Sequence, residues 1–275
     1  LEKIKFFASS TKPFFVFLHG WMVHVPYLPE KECMDPFSFK YKGKIVWTEE
    51  ELKKIIKTNE NAPPKIDPGS PQAFAFISKA DIKNPEDVKM MEALYNASIY
   101  CQDKRIEKLF TELKRVIPNF EETIIIITAD HGESVGEHGL FQHGNMYQND
   151  LWVPLIVRFP DRAPIRISTP VRSIDILPTL LEYVGIKAPS YMDGKSFLYL
   201  YDAPQTKKHF DIAFSQKDGK YAVYQDQYKY LQLNGREFLF DIEKDPEELI
   251  NIADGNQELV FKLRNELLFY LLQKE

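Results

Sequence analysis

Cysteine is scarce in this chain, which has only Cys33 and Cys101 among its 275 residues. Two cysteines are too few for a disulfide framework, and the sequence has no C-x-x-C pair of the kind that binds metal or exchanges disulfides. We therefore expect both to be packing residues. The chain also lacks an apolar run near the ~18 residues of a membrane-spanning helix, and no charged-then-apolar leader opens it. These absences predict a soluble chain without a transmembrane segment, with any leader lying upstream of Leu1.

Neither sign of charge dominates, because 35 Lys and Arg residues stand against 40 Asp and Glu residues, for a formal net charge of −5. The basic residues are interspersed with acidic ones, so the sequence lacks the basic footprint of a nucleic-acid-binding protein. The hydrophobic fraction of 44% is that of an ordinary globular protein. At this length, one large α/β domain with a small second domain is a common outcome.

Apolar residues are spaced as in alternating strands and helices over the first two thirds of the chain. Two apolar runs, at residues 12–20 and 123–130, predict buried strands. Between them, apolar residues recur at helical spacing from about 84 to 116. A further strand at 155–159 and a helix at about 174–184 follow. We expect the isoleucine-rich run to be a parallel strand with polar groups at its carboxyl end, where open α/β sheets build their sites.

The sequence changes in character after residue 204, where tyrosine-rich segments alternate between apolar and polar residues. They predict a small antiparallel sheet with strands at 211–216, 220–225, 228–233 and 236–241. An amphipathic helix from about 257 to 273 closes the chain. The predicted class is therefore α/β, with a core domain at 1–204 and a four-stranded subdomain with its helix at 205–275.

Polar residues gather directly after the isoleucine-rich run. Asp130 and His131 are adjacent there, and a carboxylate beside an imidazole suits half of a divalent metal site. Alternatively, Asp130 caps the next turn and His131 is an ordinary loop residue, because two ligands do not define a metal site. Imidazoles also bind anions and transfer protons, and together the histidines favour a site. Five of the six histidines fall in two short stretches: His19, His24, His131, His138 and His143.

Two segments, Thr128-Ala-Asp-His-Gly-Glu133 and Gly136-Glu-His-Gly-Leu-Phe141, resemble the central signature of the sulfatase family within the alkaline-phosphatase superfamily. Other segments resemble further motifs of the family in the same order: Lys12 to Tyr27, Tyr95 to Ile106, Ser173 to Ser196 and Phe240 to Asn251. The resemblance covers essentially the whole chain. It implies an alkaline-phosphatase-like α/β/α sandwich, of which this chain is the second half, followed by the C-terminal subdomain.

The resemblance also implies a function and roles for four residues. Asp130 and His131 would bind a metal, and His24 and His143 would contact a sulfate monoester during its hydrolysis. Calcium is the family's usual metal, although an imidazole ligand would also suit manganese or zinc. Many sulfatases have Lys at the position of His143 and Asn at that of His131. These departures keep open a phosphonate or phosphodiester hydrolase, or a phosphoethanolamine transferase.

Two parts of the family's machinery are absent from the sequence. One is the C/S-x-P-x-R nucleophile that becomes formylglycine, and the other is an Asp-Asp pair of metal ligands, both upstream of the loop ending at Tyr27 in the family. The segment Ser168-Thr-Pro-Val-Arg172 fits the nucleophile pattern, but the family has an ordinary loop there, so we interpret the match as coincidence. We expect an N-terminal half of the same protein to supply both parts, and this chain alone to be inactive. A non-catalytic binding or scaffold protein is the alternative from another class.

Overall fold

The computed structural model describes residues 2–9, 12–48, 50, 51, 54 and 79–273. The chain divides into two compact units. The first unit contains Leu1–Thr123 and Glu133–Gln142, and the second contains Ile124–Gly132 and His143–Glu275. No helix in the described part of the chain is long and apolar enough to cross a membrane.

The described helices and strands follow one another in this order: α1 (Glu2–Ala8), α2 (Lys31–Met34), α3 (Pro85–Val116), β1 (Ile125–Thr128), β2 (Ser134–Val135), β3 (Phe141–Gln142), α4 (Gln148–Leu151), β4 (Leu155–Arg158), α5 (Ile176–Tyr183), β5 (Ala213–Lys217), β6 (Lys220–Gln225), β7 (Tyr228–Leu233), β8 (Arg236–Asp241) and α6 (Gln257–Leu272). Short 3-10 turns lie at Asp35–Phe37, Phe120–Glu122, Glu137–Gly139, Ser173–Asp175 and Leu198–Tyr201.

The long helix α3 begins and ends where the sequence predicts. Asn84 accepts a hydrogen bond from the N–H of Glu86 at 3.0 Å, and Pro85 occupies the first turn, where its missing N–H has no consequence. Lys114 and Arg115 lie in the last turn, where cations complement the helix dipole. The core of the first unit joins one face of α3 to the segments before it: Met90, Met91, Leu94 and Ala97 with Val25, Tyr27, Met34 and Ile45.

The two cysteines are not simple packing residues, and this expectation is wrong. Cys33 on α2 and Cys101 on α3 form a disulfide with Cα atoms 5.5 Å apart. They are 68 residues apart in sequence, so their spacing alone carried no sign of the pairing. The packing of α2 against α3 brings them together. Cross-linking a loop of this length stabilises a fold by about 4 kcal/mol in the chain-entropy model.

Residues 12–20 do not form the predicted buried strand. The segment belongs to the first unit, carries no strand pairing and is largely exposed, with 80% of Phe15 and 77% of Phe17 accessible to solvent. A strand exists only where another strand accepts its backbone hydrogen bonds. The apolar run therefore shows the composition of a buried strand without the neighbours that would bury it.

The isoleucine-rich strand β1 forms, but its predicted parallel pairing is wrong. In the second unit, β1 pairs antiparallel with β4, with Ile125 opposite Arg158 and Thr128 opposite Leu155. The pair is a two-stranded sheet whose residues are half-buried or exposed. The apolar pattern predicted both strands because it depends only on the residues of each strand. Whether β1 runs parallel or antiparallel depends on which strand pairs with it.

The C-terminal sheet confirms the sequence prediction closely. Strands β5 to β8 form an antiparallel meander in chain order. Two of its turns, at 218–219 and 234–235, pair an Asp or Asn with a Gly, all with positive φ between 49° and 77°. Such turns match the right-handed twist of a hairpin. Helix α6 covers one face of the sheet, with a core that comprises Val223, Tyr230, Leu239, Val260, Leu263 and Leu267.

Candidate functional site

The loop after β1 holds Asp130 and His131 side by side. The Asp130 carboxylate accepts the backbone N–H of His131 at 3.1 Å, and its other oxygen lies 3.8 Å from Nε2 of His131. The imidazole Nδ1 lies 2.7 Å from the carbonyl oxygen of Gly132. Because a carbonyl only accepts hydrogen bonds, Nδ1 carries the proton, and in the neutral ring Nε2 carries the lone pair. The Nε2 atom and the carboxylate oxygen, 3.8 Å apart, are therefore both available as metal ligands.

The second histidine of this unit, His143, packs directly on His131. Their rings are stacked, with centroids 3.9 Å apart and planes inclined by 29°. The structure thus places both Asp130 and His143 next to His131, all three in the second unit. We call these three residues the Asp-His-His cluster. A carboxylate with two imidazoles offers ligands for a divalent cation and donors for an anionic oxygen.

The fourth predicted site residue, His24, belongs to the first unit. Its Nδ1 lies 2.7 Å from the carbonyl of Val25, and its ring meets that of Trp21 edge-on at 5.5 Å. The same segment is tied to α3, because Arg105 forms an ion pair with Glu30 at 2.6 Å and also contacts the sulfur of Met22. The His24 loop is therefore held by contacts within its own unit.

A buried charged group lies beside the segment that follows His143. Lys229 on β7 and Glu248 form an ion pair at 2.6 Å, and both side chains are fully buried. Glu248 also accepts the N–H of Gln148 at 2.5 Å, at the start of α4. Burial lowers the pKa of Lys229 to about 8, although Glu248 acts in the opposite direction. A buried pair of this kind anchors α4 to the C-terminal sheet.

The segment Ser168–Arg172 has contacts that suit a structural loop. Arg172 binds Asp175 through its backbone N–H at 2.8 Å and through its guanidinium at 2.8 Å. Thr169 is buried, and its hydroxyl donates to the carbonyl of Thr206. These contacts support the interpretation that the nucleophile-like pattern is a coincidence.

Two family models match the chain. The model described as Sulfatase matches residues 1–186, and the model described as N-sulphoglucosamine sulphohydrolase, C-terminal, matches residues 136–273. The chain therefore belongs to the sulfatase family. Together the two matches place the family assignment on both units and on the C-terminal sheet.

The curated relatives are sulfatases. The chain is 27% identical to a choline-sulfatase of Rhizobium meliloti (strain 1021) over 202 residues, covering 69% of this chain and 39% of the relative. It is 28% identical to arylsulfatase K of Bos taurus over 284 residues, covering 94% of this chain and 51% of the relative. The chain thus spans about half the length, or less, of these two relatives.

Solved structures show the fold. The phosphonate monoester hydrolase of Agrobacterium radiobacter matches with a TM-score of 0.69 and 21% identity, over 99% of this chain and 59% of that one. A 2-O GAG sulfatase, BT1596, matches with a TM-score of 0.60 and 25% identity, over 72% of this chain and 46% of that one. The fold is therefore alkaline-phosphatase-like, as the sequence resemblance implied.

Proposed function

We propose that the complete protein hydrolyses sulfate monoesters with the help of one divalent metal ion. The observation that carries the proposal is the Asp-His-His cluster, in which His131 stacks on His143 at 3.9 Å with Asp130 beside it. The sulfatase relatives support the same reaction class. A sulfate ester is an anion whose hydrolysis needs positive charge on its oxygens and a proton for the leaving alcohol, and the cluster offers ligands and donors for both needs.

The donor set of the Asp-His-His cluster suits a metal ion. Asp130 and Nε2 of His131 would hold it, because the proton on Nδ1 leaves the lone pair on Nε2, which lies 3.8 Å from the Asp130 carboxylate. When bound, a divalent ion supplies positive charge to the sulfuryl oxygens and to the nucleophile. Calcium is the proposed ion, with manganese or zinc compatible with an imidazole ligand.

We assign His143 and His24 to the ester itself. A protonated imidazole binds an anionic oxygen and then donates its proton to the departing alcohol, leaving a neutral ring. His143 lies against His131 in the second unit, which supports its role beside the proposed metal. For His24 the same role is proposed on the family resemblance alone.

The nucleophile and the remaining metal ligands are proposed to come from an N-terminal half of the same protein, with a formylglycine as the nucleophile. Two observations support this. The chain covers only 39% of the choline-sulfatase and 51% of arylsulfatase K, and the apolar segment at 12–20 is exposed. The N-terminal half would then cover this segment, since large exposed apolar patches mark contact surfaces.

The test is turnover of nitrophenyl sulfate, nitrophenyl phosphate and a nitrophenyl phosphonate by the full-length protein, with its metal identified by elemental analysis. We expect sulfate to be preferred. Sulfate turnover at background would contradict the proposal. Turnover of none of the three substrates would favour a binding or scaffold role.

The second candidate function is that of a phosphonate or phosphodiester hydrolase, or of a phosphoethanolamine transferase. The specific observation is His143, which stands where many sulfatases have a lysine, and the likeness in fold to phosphonate monoester hydrolase agrees with it. Lys is a fixed cation, whereas His also donates its proton. Changing His143→Lys should raise the ratio of sulfate to phosphonate turnover by about tenfold, a change of ~1.4 kcal/mol. An unchanged ratio would show that this position does not set the preference.

A further inference from the structure

Asp150, on helix α4, is a buried carboxylate that no step above uses. It is 2% exposed. Its Oδ2 accepts the backbone N–H of Gly144 at 2.5 Å and that of Asn145 at 2.7 Å. Its own backbone carbonyl accepts the N–H of Gly132 at 2.7 Å. Gly144 directly follows His143, and Gly132 directly follows His131, so one residue anchors the chain beside both stacked imidazoles.

The turn that carries His143 is built around this carboxylate. Gln142, Gly144 and Met146 have positive φ values of 74°, 88° and 70°. Successive N–H groups in such a turn converge on one side and form a nest that favours an anion. Left-handed conformations of residues other than glycine cost about 1 kcal/mol or more each and persist only where the surroundings enforce them. The Asp150 carboxylate is the anion that fills this nest.

The backbone around the hydrogen bond between Gly132 and Asp150 is tightly packed. A side chain at Gly132 would collide with the carbonyl of Asn149, the residue before Asp150. The backbone after His131 therefore lies in direct contact with the backbone of α4. A shift of Asp150 would move both the turn after His143 and the turn after His131.

The buried ion pair below α4 holds this helix in place. Glu248 accepts the N–H of Gln148, two residues before Asp150, and Lys229 neutralises Glu248. Tyr224 donates to the side chain of Gln148 at 2.9 Å. The second oxygen of Asp150, Oδ1, is buried and has no hydrogen-bond partner among the described residues. Burying a carboxylate with one oxygen unpaired is costly, and the charge of Lys229 offsets part of that cost.

We propose that Asp150 is the positioning residue of the His131–His143 pair: its side chain and its carbonyl together set the stacking of the two rings, without contact to the substrate. The proposal deepens the sulfatase function and rests on it for its catalytic consequence. The stacking itself, however, is a property of the apo protein. It can be measured whether or not the protein turns over a sulfate ester.

The experiment uses the full-length protein with ¹³C-labelled histidine, as wild type, Asp150→Ala and Asp150→Asn. Each imidazole lies in the ring current of the other, so loss of the stack shifts the ring signals of His131 and His143. We expect large shifts for Asp150→Ala. Smaller shifts are expected for Asp150→Asn, which keeps an acceptor oxygen but loses the charge that the nest favours. Faster amide exchange of Gly144 and Asn145 should accompany the shifts.

Asp175→Ala is the matched control. Asp175 is also a buried carboxylate of the second unit, and it accepts backbone N–H groups of Arg172 and Lys195, each at 2.8 Å. Its loss should destabilise the protein comparably, yet leave the His131 and His143 signals in place. A purely structural role for Asp150 would make the two variants behave alike.

The outcomes separate the positioning claim from the sulfatase claim. Unchanged His131 and His143 signals in a folded Asp150 variant would overturn the positioning role. Should Asp150→Ala fail to fold, Asp150→Asn carries the same comparison. If the wild type turns over sulfate esters, kcat should fall about 10²-fold in Asp150→Ala with KM changing far less, because a displacement of ~1 Å is enough for such a loss. If the Asp150 variant loses the stacking and the wild type turns over no sulfate ester, the positioning role stands and only the sulfatase function is refuted.

Discussion

The second unit contains two sheets that differ in how their apolar residues are buried. In the sheet of β5 to β8, Val223, Tyr230 and Leu239 are fully buried. In the β1–β4 pair, Ile156 is 61% exposed. Both regions are rich in apolar side chains, but α6 covers the first sheet and packs into its core.

The difference shows that an apolar strand is buried only where another element covers it. Each strand of the C-terminal sheet pairs with its neighbour in sequence, so short hairpins assemble the sheet and α6 lies within 20 residues of its last strand. The β1–β4 pair joins segments separated by the turns that carry the Asp-His-His cluster. The C-terminal sheet is thus covered by a helix close to it in sequence, whereas the β1–β4 pair flanks the turns of the Asp-His-His cluster.

The largest loss of stability is expected when Lys229 of the C-terminal sheet, which forms a buried ion pair with Glu248, is replaced. Changing Lys229→Met removes the partner of Glu248 and leaves an uncompensated buried carboxylate, which should lower the free energy of unfolding by about 3–5 kcal/mol. The double variant Lys229→Met with Glu248→Leu should be clearly more stable than the single one, since the Glu248 carboxylate is then no longer buried without its partner. Urea denaturation of both variants measures the difference. A single variant as stable as the double would contradict the claim that the pair is desolvated.

The comparison itself is tested by truncating one residue in each sheet. Leu239→Ala removes a fully buried side chain from the core beneath α6 and should cost about 3 kcal/mol. Ile156→Ala, on the exposed face of β4, should cost less than about 1 kcal/mol in this chain. Equal losses in urea denaturation would break the distinction between the two sheets.

The ion pair that joins α6 to β8 is expected to contribute less than the buried pair of Lys229 and Glu248. Arg264 contacts both carboxylate oxygens of Glu237 at 2.6 Å, and this holds the pKa of Glu237 below its usual 4.5, with a hydrogen bond from Tyr230 adding to the effect and burial opposing it. Arg264→Gln should cost about 1 kcal/mol at pH 7, because the pair is partly exposed.

The same pair defines a dependence on pH. Since the folded-state pKa of Glu237 is lowered, its contribution to stability is present above pH 4.5 and is lost as the pH falls through the folded pKa. The difference in stability between wild type and Arg264→Gln should therefore shrink below pH 4.5. A difference that stays constant down to pH 2 would show that the pair contributes through packing alone.

Local chemistry explains the elements that the sequence predicted well. The bounds of α3 follow from Asn84 and Pro85 at one end, and the hairpins of the C-terminal sheet follow from Asp-Gly and Asn-Gly turns. The position of Asp130 and His131 after an apolar run also predicted a candidate site. Each of these signals lies within a few residues of the feature that it predicts.

The features that the sequence did not predict depend on contacts between residues far apart in the chain. The cysteine pairing depends on α2 lying against α3, and the antiparallel direction of β1 depends on β4. The sequence gives no signal for Asp150, because a single aspartate in a short polar segment resembles a surface residue. Only its burial and its hydrogen bonds to Gly132, Gly144 and Asn145 reveal it. The 204/205 domain boundary and the roles of His24, Asp130, His131 and His143 stay predictions.

The sequence by itself determined the family, the local secondary structure and the residues able to carry the chemistry, because these depend on residue types at short spacing. Only the tertiary structure decided which apolar runs are buried, which cysteines pair and which histidines touch. Those outcomes depend on partners far away in the chain. The stacked His131 and His143 illustrate this, because Asp150, which accepts hydrogen bonds from the residue after each of them, is marked by no local pattern.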